Sequence, residues 1–85
     1  MEITLKDESG KYLRVVRFYI TGKNHDIITL SQWKDLVTLK WRSPSISSGT
    51  GNYDNSEMAR LHAQAMLQAA DLMDEWSQDT GKEIE

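Results

Sequence analysis

Apolar residues form short runs between polar turns in the first half of the chain and recur at helical spacing in the second half. Residues 12–20 predict the clearest strand, because nearly all of them are apolar or aromatic and most are β-branched or ring-bearing. Shorter apolar runs at 3–6 and 27–30 predict two further strands. The pattern therefore predicts a small antiparallel sheet of three to four strands within residues 2–42.

Residues 31–41 fit two kinds of structure. Bulky apolar residues recur there at helical spacing, namely Trp33, Leu36, Val37 and Trp41. Ser31 would cap such a helix, whereas the alternation of apolar and polar residues after Leu36 fits a strand. Both structures remain open from the sequence, and we favour a short helix near 31–36 followed by a strand near 37–42.

The second half of the chain predicts one long helix. Residues 56–78 are rich in Ala, Leu, Met, Gln and Glu, which are strong helix formers. Asp54 and Glu57 have the spacing of a capping box, and Gly81 is a natural terminator. The apolar residues recur every three or four positions in one stripe: Met58, Leu61, Ala65, Met66, Ala69, Leu72, Met73 and Trp76.

The segment between sheet and helix has the composition of a loop. Residues 43–55 contain the only proline of the chain and are rich in Ser and Gly. We expect a flexible loop here, between a sheet part at 1–42 and a helix part at 56–79. The fold class that follows is α+β, a single domain over residues 1–85 with the helix packed across the sheet.

The two halves of the chain carry opposite charge. Residues 1–46 hold eight Lys or Arg and five Asp or Glu, so their charge is 8 − 5 = +3. Residues 47–85 hold two and eight, so their charge is 2 − 8 = −6, which accounts for the net charge of −3. This asymmetry favours a chain that meets a charged surface, its own second copy included.

Composition also narrows the chemistry that we expect. The chain has no cysteine, which excludes disulfides, thiol nucleophiles and thiolate zinc sites. The sequence has no recognisable catalytic or metal-binding motif, so we expect neither a cofactor nor an enzyme. No apolar run reaches the length of a membrane span and the first residues do not form a signal peptide, so we expect a cytoplasmic protein with no membrane partner.

Two surfaces of the predicted helix are candidates for binding. Its carboxyl-terminal end carries an acidic cluster, where the helix dipole disfavours anions: Asp71, Asp74, Glu75 and Asp79. We interpret this cluster as a site for a cationic partner, with a solvated polar face as the alternative. The larger residues of the apolar stripe exceed what a small sheet readily buries, which predicts a homodimer: Met58, Leu61, Met66, Leu72, Met73 and Trp76.

The predicted sheet offers a third candidate surface. Its cations are interleaved with aromatic residues, an arrangement that can hold single-stranded nucleic acid by stacking and phosphate contacts. The residues concerned are Arg14, Arg17, Tyr19, Lys40, Trp41 and Arg42. The same aromatic side chains could instead form the core of so small a domain.

One segment of the chain resembles a known family. The run GKYLRVVRFYI followed by DIITLSQWKDL, within residues 10–36, is similar to the positive-cofactor-four transcriptional coactivators. The matching positions are Gly10, Lys11, Arg17, Tyr19, Ile28, Thr29, Leu30, Gln32, Trp33 and Leu36. The resemblance implies a four-stranded sheet, a dimer formed through helices, and single-stranded DNA bound on the sheet face.

These patterns favour one class of function over another. We expect a non-enzymatic interaction protein, a small acidic regulator or inhibitor that binds another macromolecule. Its size and composition are typical of the accessory proteins of phages and mobile elements. The alternative is a single-stranded DNA-binding protein that uses the sheet face.

Overall fold

The computed structural model describes residues 3–20, 27–49, 53 and 55–83. They form four strands and one helix: β1 (Ile3–Asp7), β2 (Leu13–Ile20), β3 (Ile27–Trp33), β4 (Ser45–Ser48) and α1 (Ser56–Ser77). The strands lie in the order β1-β2-β3-β4, and each is antiparallel to its neighbour. This architecture confirms the predicted α+β fold with a helix packed across the sheet.

One face of the sheet forms the core. Opposite Val16 and Phe18 on β2 lie Leu30 and Ile28 on β3, and all four side chains are buried. Alternate residues of a strand point to opposite faces, so these side chains share the face that α1 covers. The middle of α1 contributes Ala65 and Ala69, both fully buried, and their small side chains let the helix lie close to the sheet.

The apolar stripe of α1 packs against this core. Met58 is buried, and four larger residues of the stripe are partly buried against the sheet: Met66, Leu72, Met73 and Trp76. The helix begins after Asn55, whose side-chain oxygen accepts a hydrogen bond from the Met58 amide at 2.9 Å. The cap is therefore Asn55 and not Asp54, which lies outside the described residues.

Two sequence predictions about the middle of the chain are wrong. The sheet does not end at residue 42, because β4 lies within the segment 43–55 that we expected to be a flexible loop. Ile46 of β4 pairs with Leu30 and packs on the core. One apolar residue among serines is thus enough for an edge strand, because β3 supplies the backbone hydrogen bonds and the core supplies an apolar contact for Ile46.

The short helix expected near 31–36 is also absent. Residues 31–33 continue β3, and residues 34–42 form a hairpin instead of a helix followed by a strand. Gln32 explains the difference, because its fully buried side chain makes hydrogen bonds on the core side of the sheet. No helix in the described part of the chain has both the length and the hydropathy to cross a membrane.

Candidate interaction surface

Among the described residues, the most exposed apolar side chains lie on a hairpin that extends β3. Lys34 pairs with Trp41 as an isolated bridge, and the Arg42 amide donates to the Trp33 carbonyl oxygen at 2.8 Å. Between these pairs the Leu39 amide donates to the Asp35 carbonyl oxygen at 2.8 Å and closes the turn. We call residues 35–40 the hairpin tip.

The base of this hairpin is held on two sides. The Lys34 amide donates to the Tyr12 carbonyl oxygen at 2.9 Å, which joins the base to the start of β2. On the other side the Trp41 amide donates to Lys82 at 3.0 Å, and its carbonyl accepts from Gly81 at 2.8 Å. Gly81 has φ 81°, a conformation that glycine adopts without strain as the chain turns after α1.

Asp35 fixes the conformation of the hairpin tip. Its Oδ1 atom accepts hydrogen bonds from the Val37 amide at 2.8 Å and the Thr38 amide at 3.0 Å. These bonds, that from Thr38 first and that from Val37 second, lower the pKa of the Asp35 carboxyl because they favour its ionised form. The side chain of Asp35 thereby acts as a local scaffold for the turn.

The hairpin tip holds apolar side chains in water. Val37 is 91% exposed and Leu36 is 71% exposed, and Trp33 at the start of the hairpin is 57% exposed. Leu39 is 48% exposed and has φ 59°, a left-handed conformation that costs a residue other than glycine about 1 kcal/mol. A cluster of exposed apolar residues on a fixed and strained turn is typical of a binding surface.

Cations and a shallow pocket surround these apolar residues. Lys34, Lys40 and Arg42 lie on the two strands of the hairpin, and we call them the basic collar. Arg42 Nη2 lies 3.8 Å from Asp35 Oδ2, and its side chain remains 69% exposed. An open pocket of about 330 Å³ lies beside the tip, lined by Trp33, Lys34, Asp35, Leu36, Val37 and Arg42.

A polar cluster beneath the hairpin joins its base to the end of α1. Arg14 Nη1 donates to Asp79 Oδ2 at 2.8 Å and to Gln32 Oε1 at 3.1 Å. The Arg14 guanidinium carbon also lies 4.4 Å from the centroid of the Trp41 ring and 5.7 Å from that of Trp76. We call this set of five residues, with Gln32 included, the Arg14 clamp.

Gln32 completes the clamp from within the sheet. Its Nε2 atom donates to the Arg42 carbonyl oxygen at 2.8 Å and to the Trp76 carbonyl oxygen at 3.1 Å. One fully buried amide thus satisfies carbonyls of the hairpin and of the helix end together. The Trp41 ring nitrogen is buried in the same cluster and has no hydrogen-bond partner among the described residues.

The structure divides the candidate nucleic-acid residues among three places. Arg14 and Trp41 belong to the clamp on the helix side of the sheet. Arg17 and Tyr19 lie on the opposite, open face, where Arg17 forms an ion pair with Glu8. The other two residues, Lys40 and Arg42, lie in the basic collar of the hairpin.

The candidate residues of α1 are also divided. Asp71, Asp74 and Glu75 are exposed, whereas Asp79 is bound to Arg14 in the clamp. The stripe residues instead face the core, with Leu61 half-buried and Met58 fully buried. The described residues contain no group of three or more His, Asp or Glu side chains that could hold a metal ion.

Sequence reasoning assigned no binding role to the apolar residues of the hairpin tip and no buried role to Gln32, which it named only as a matching position of the family resemblance. The available signal was Asp35 followed by Val37 and Thr38, since an Asp side chain often accepts from the amides two and three residues later. No protein-family model matches the chain, and neither the curated proteins nor the solved structures yield a match.

Proposed function

We propose that this protein is a non-enzymatic interaction protein, a small acidic regulator or inhibitor that binds another protein through the hairpin tip. The observation that carries the proposal is the exposure of Leu36, Val37 and Leu39 on a turn whose shape is fixed by Asp35. Strained backbone conformations in folded proteins are concentrated at binding and catalytic sites. The strained conformation of an exposed leucine therefore indicates a side chain that contacts a partner.

The fixed turn favours tight binding. Burying one Leu or Val side chain contributes about 1.5–3 kcal/mol, and a turn that is already ordered loses little conformational entropy when it binds. The base of the hairpin is held by hydrogen bonds to Tyr12 and Lys82, so the tip is presented from a firm support. These features suit a projection that enters an apolar cleft of a partner.

The charges around the tip favour a protein over a nucleic acid. The basic collar attracts acidic groups, which would rim the cleft of the partner. The exposed Asp71, Asp74 and Glu75 lie on the last turns of α1, the same end of the helix that contacts the hairpin base. A polyanion that approached the collar would also meet these carboxylates, whereas a protein surface can match both signs.

A second candidate function uses the open face of the sheet. Arg17, Tyr19 and Trp33 lie on this face, and Trp33 is more than half exposed. Tyr19 lies two residues from Arg17 on this face, and a ring on which a base can stack beside a cation is the arrangement used for single-stranded DNA. We keep single-stranded DNA binding as the alternative on this observation.

Quantitative capture of partners by tagged variants tests the proposal. The tip variant Leu36→Ser/Val37→Ser should lose a protein partner that wild type captures from its native cells. The matched control is Leu5→Ser, because Leu5 is an exposed apolar residue on β1, far along the sheet from the tip. A partner set that is identical for wild type and the tip variant would refute the proposal.

Titration with a labelled single-stranded oligonucleotide tests the alternative. Binding through the open face should weaken as salt rises and should weaken further in Arg17→Gln. The tip variant should bind the oligonucleotide as wild type does. Saturable, salt-sensitive binding that Arg17→Gln reduces would favour the alternative over the proposal.

A further inference from the structure

We infer that a second copy of this chain is one occupant of the hairpin tip, and that the tip docks on the acidic outer face of α1 in that copy. The inference rests on the proposed function, because it uses the same tip as the binding surface. It adds to that function the surface that the tip binds, which is the outer face of α1 in the second copy. In the free protein, self-association and partner binding would therefore compete.

The outer face of α1 combines acidic groups with an exposed leucine. Leu67 is 67% exposed, and Asp71 and Asp74 follow it by four and seven residues, which places the three on one helix face. Glu75 borders this face and is exposed as well. Seven residues of helix span about 10 Å, so the leucine and the carboxylates form one elongated patch.

The hairpin carries the complementary pattern at a similar spacing. Val37 lies at the apex, and Lys40 and Arg42 follow it along the descending strand. Residues 36–38 form the turn, so Lys40 lies just after the turn and Arg42 lies two residues further along, about 7 Å at a strand rise of about 3.3 Å per residue. With the apex on Leu67 of a second copy, the cations reach its carboxylates.

The carboxylates gain from such a contact. Asp71, Asp74 and Glu75 form no ion pair within the described part of the chain. Asp74 and Glu75 also lie in the last turn of α1, where the helix dipole opposes negative charge. A cationic, apolar hairpin from another copy supplies ion-pair partners for these carboxylates and counteracts the unfavourable dipole. The phosphates of a nucleic acid would instead add negative charge.

Sedimentation velocity of charge-reversed variants tests the inference. The collar variant Lys40→Glu/Arg42→Gln and the helix variant Asp71→Lys/Asp74→Lys should each associate at least roughly tenfold more weakly than wild type at low salt. Mixing the two variants should restore association, because the unaltered basic collar of the helix variant then meets the unaltered acidic helix face of the collar variant. The mixed species is the specific signature of this pairing.

A matched control separates this pairing from a change in net charge. Lys6→Glu alters the net charge as Lys40→Glu does, but Lys6 lies on β1 opposite Arg17 and should leave association unchanged. If the collar variant does not keep the circular dichroism spectrum of wild type, Lys40→Glu alone replaces it.

Three outcomes overturn the inference. They are a wild-type monomer of 9.8 kDa at all concentrations up to several hundred micromolar, variants that associate as wild type does, and weakened variants that mixing fails to restore. None of these outcomes bears on partner capture by the tip variant, so the proposed function fails or stands by its own experiment. If wild type does associate, a captured partner should displace the second copy.

Discussion

Arg14 and Asp79 lie 65 positions apart in the sequence, and Arg14 Nη1 lies 2.8 Å from Asp79 Oδ2. This ion pair fastens the residues that follow α1 to the second strand of the sheet. Its two side chains are 22% and 32% exposed, so water screens the pair only in part. The pair therefore belongs to the support of the hairpin rather than to the solvated surface.

Removing the charge of Asp79 should destabilise the protein. We expect Asp79→Asn to lower the free energy of unfolding by about 1–2 kcal/mol, because Arg14 keeps its place between two rings without its counter-ion. Lys6→Gln breaks the exposed Lys6–Glu8 pair and should cost less than about 0.5 kcal/mol. Urea unfolding measures both, and equal losses in the two variants would contradict a structural role for the Arg14–Asp79 pair.

Gln32 should be among the residues least tolerant of substitution. Gln32→Leu leaves the carbonyls of Arg42 and Trp76 without their donor, and we expect a loss of about 2–3 kcal/mol. The neighbouring Ser31→Ala should stay within about 0.5 kcal/mol of wild type, because Ser31 lies on the open face. Thermal unfolding of the two variants gives the comparison. A neutral Gln32→Leu would mean that the buried amide is dispensable.

Leu39 should show the backbone strain of the tip. Leu39→Gly and Leu39→Ala both remove the leucine side chain, but only glycine adopts a positive φ without strain. We expect the glycine variant to be more stable than the alanine variant by about 0.5–1 kcal/mol, after the entropy that glycine gains in the unfolded chain is counted. An alanine variant at least as stable as the glycine variant would show that this conformation costs nothing.

The conformation of the hairpin tip should depend on pH. The hydrogen bonds from Thr38 and Val37 lower the pKa of Asp35 in the folded protein, so their contribution to stability is present above the ordinary aspartate pKa and disappears as pH falls through the lowered value. The amide resonances of Val37 and Thr38 in NMR spectra should therefore shift at a pH below the usual aspartate range. In Asp35→Asn these resonances should stay constant, and a titration that persists there would assign it to another group.

The sequence was sufficient to predict the elements in which apolar side chains form a strong pattern. β2 and α1 follow from the run of apolar and β-branched residues around Val16 and the stripe through Ala65, and both are present with nearly the predicted bounds. The hairpin was not predictable in this way. The spacing of Trp33 and Trp41 fits a helix, and only the contacts of Gln32 with the distant Trp76 decide against one.

The candidate nucleic-acid residues are divided among several places for a related physical reason. Sequence alternation places Arg14 and Arg17 on opposite faces of β2, but it does not tell which face α1 covers. Once α1 lies against the face of Arg14, that cation becomes part of the interior and Arg17 remains at the surface. The tip was overlooked because a run of apolar residues between charged ones reads equally well as a buried element.

Residues 80–83, which follow α1, pair with the base of the hairpin that carries the tip. Contacts between residues so far apart in sequence require the closure of a long loop, which slows their formation. The support that presents the apolar tip is thus complete only when residues 80–83 have paired with the hairpin base. A chain truncated before residue 80 lacks these contacts, so under the proposed function it should bind the partner of the tip more weakly than the full chain does.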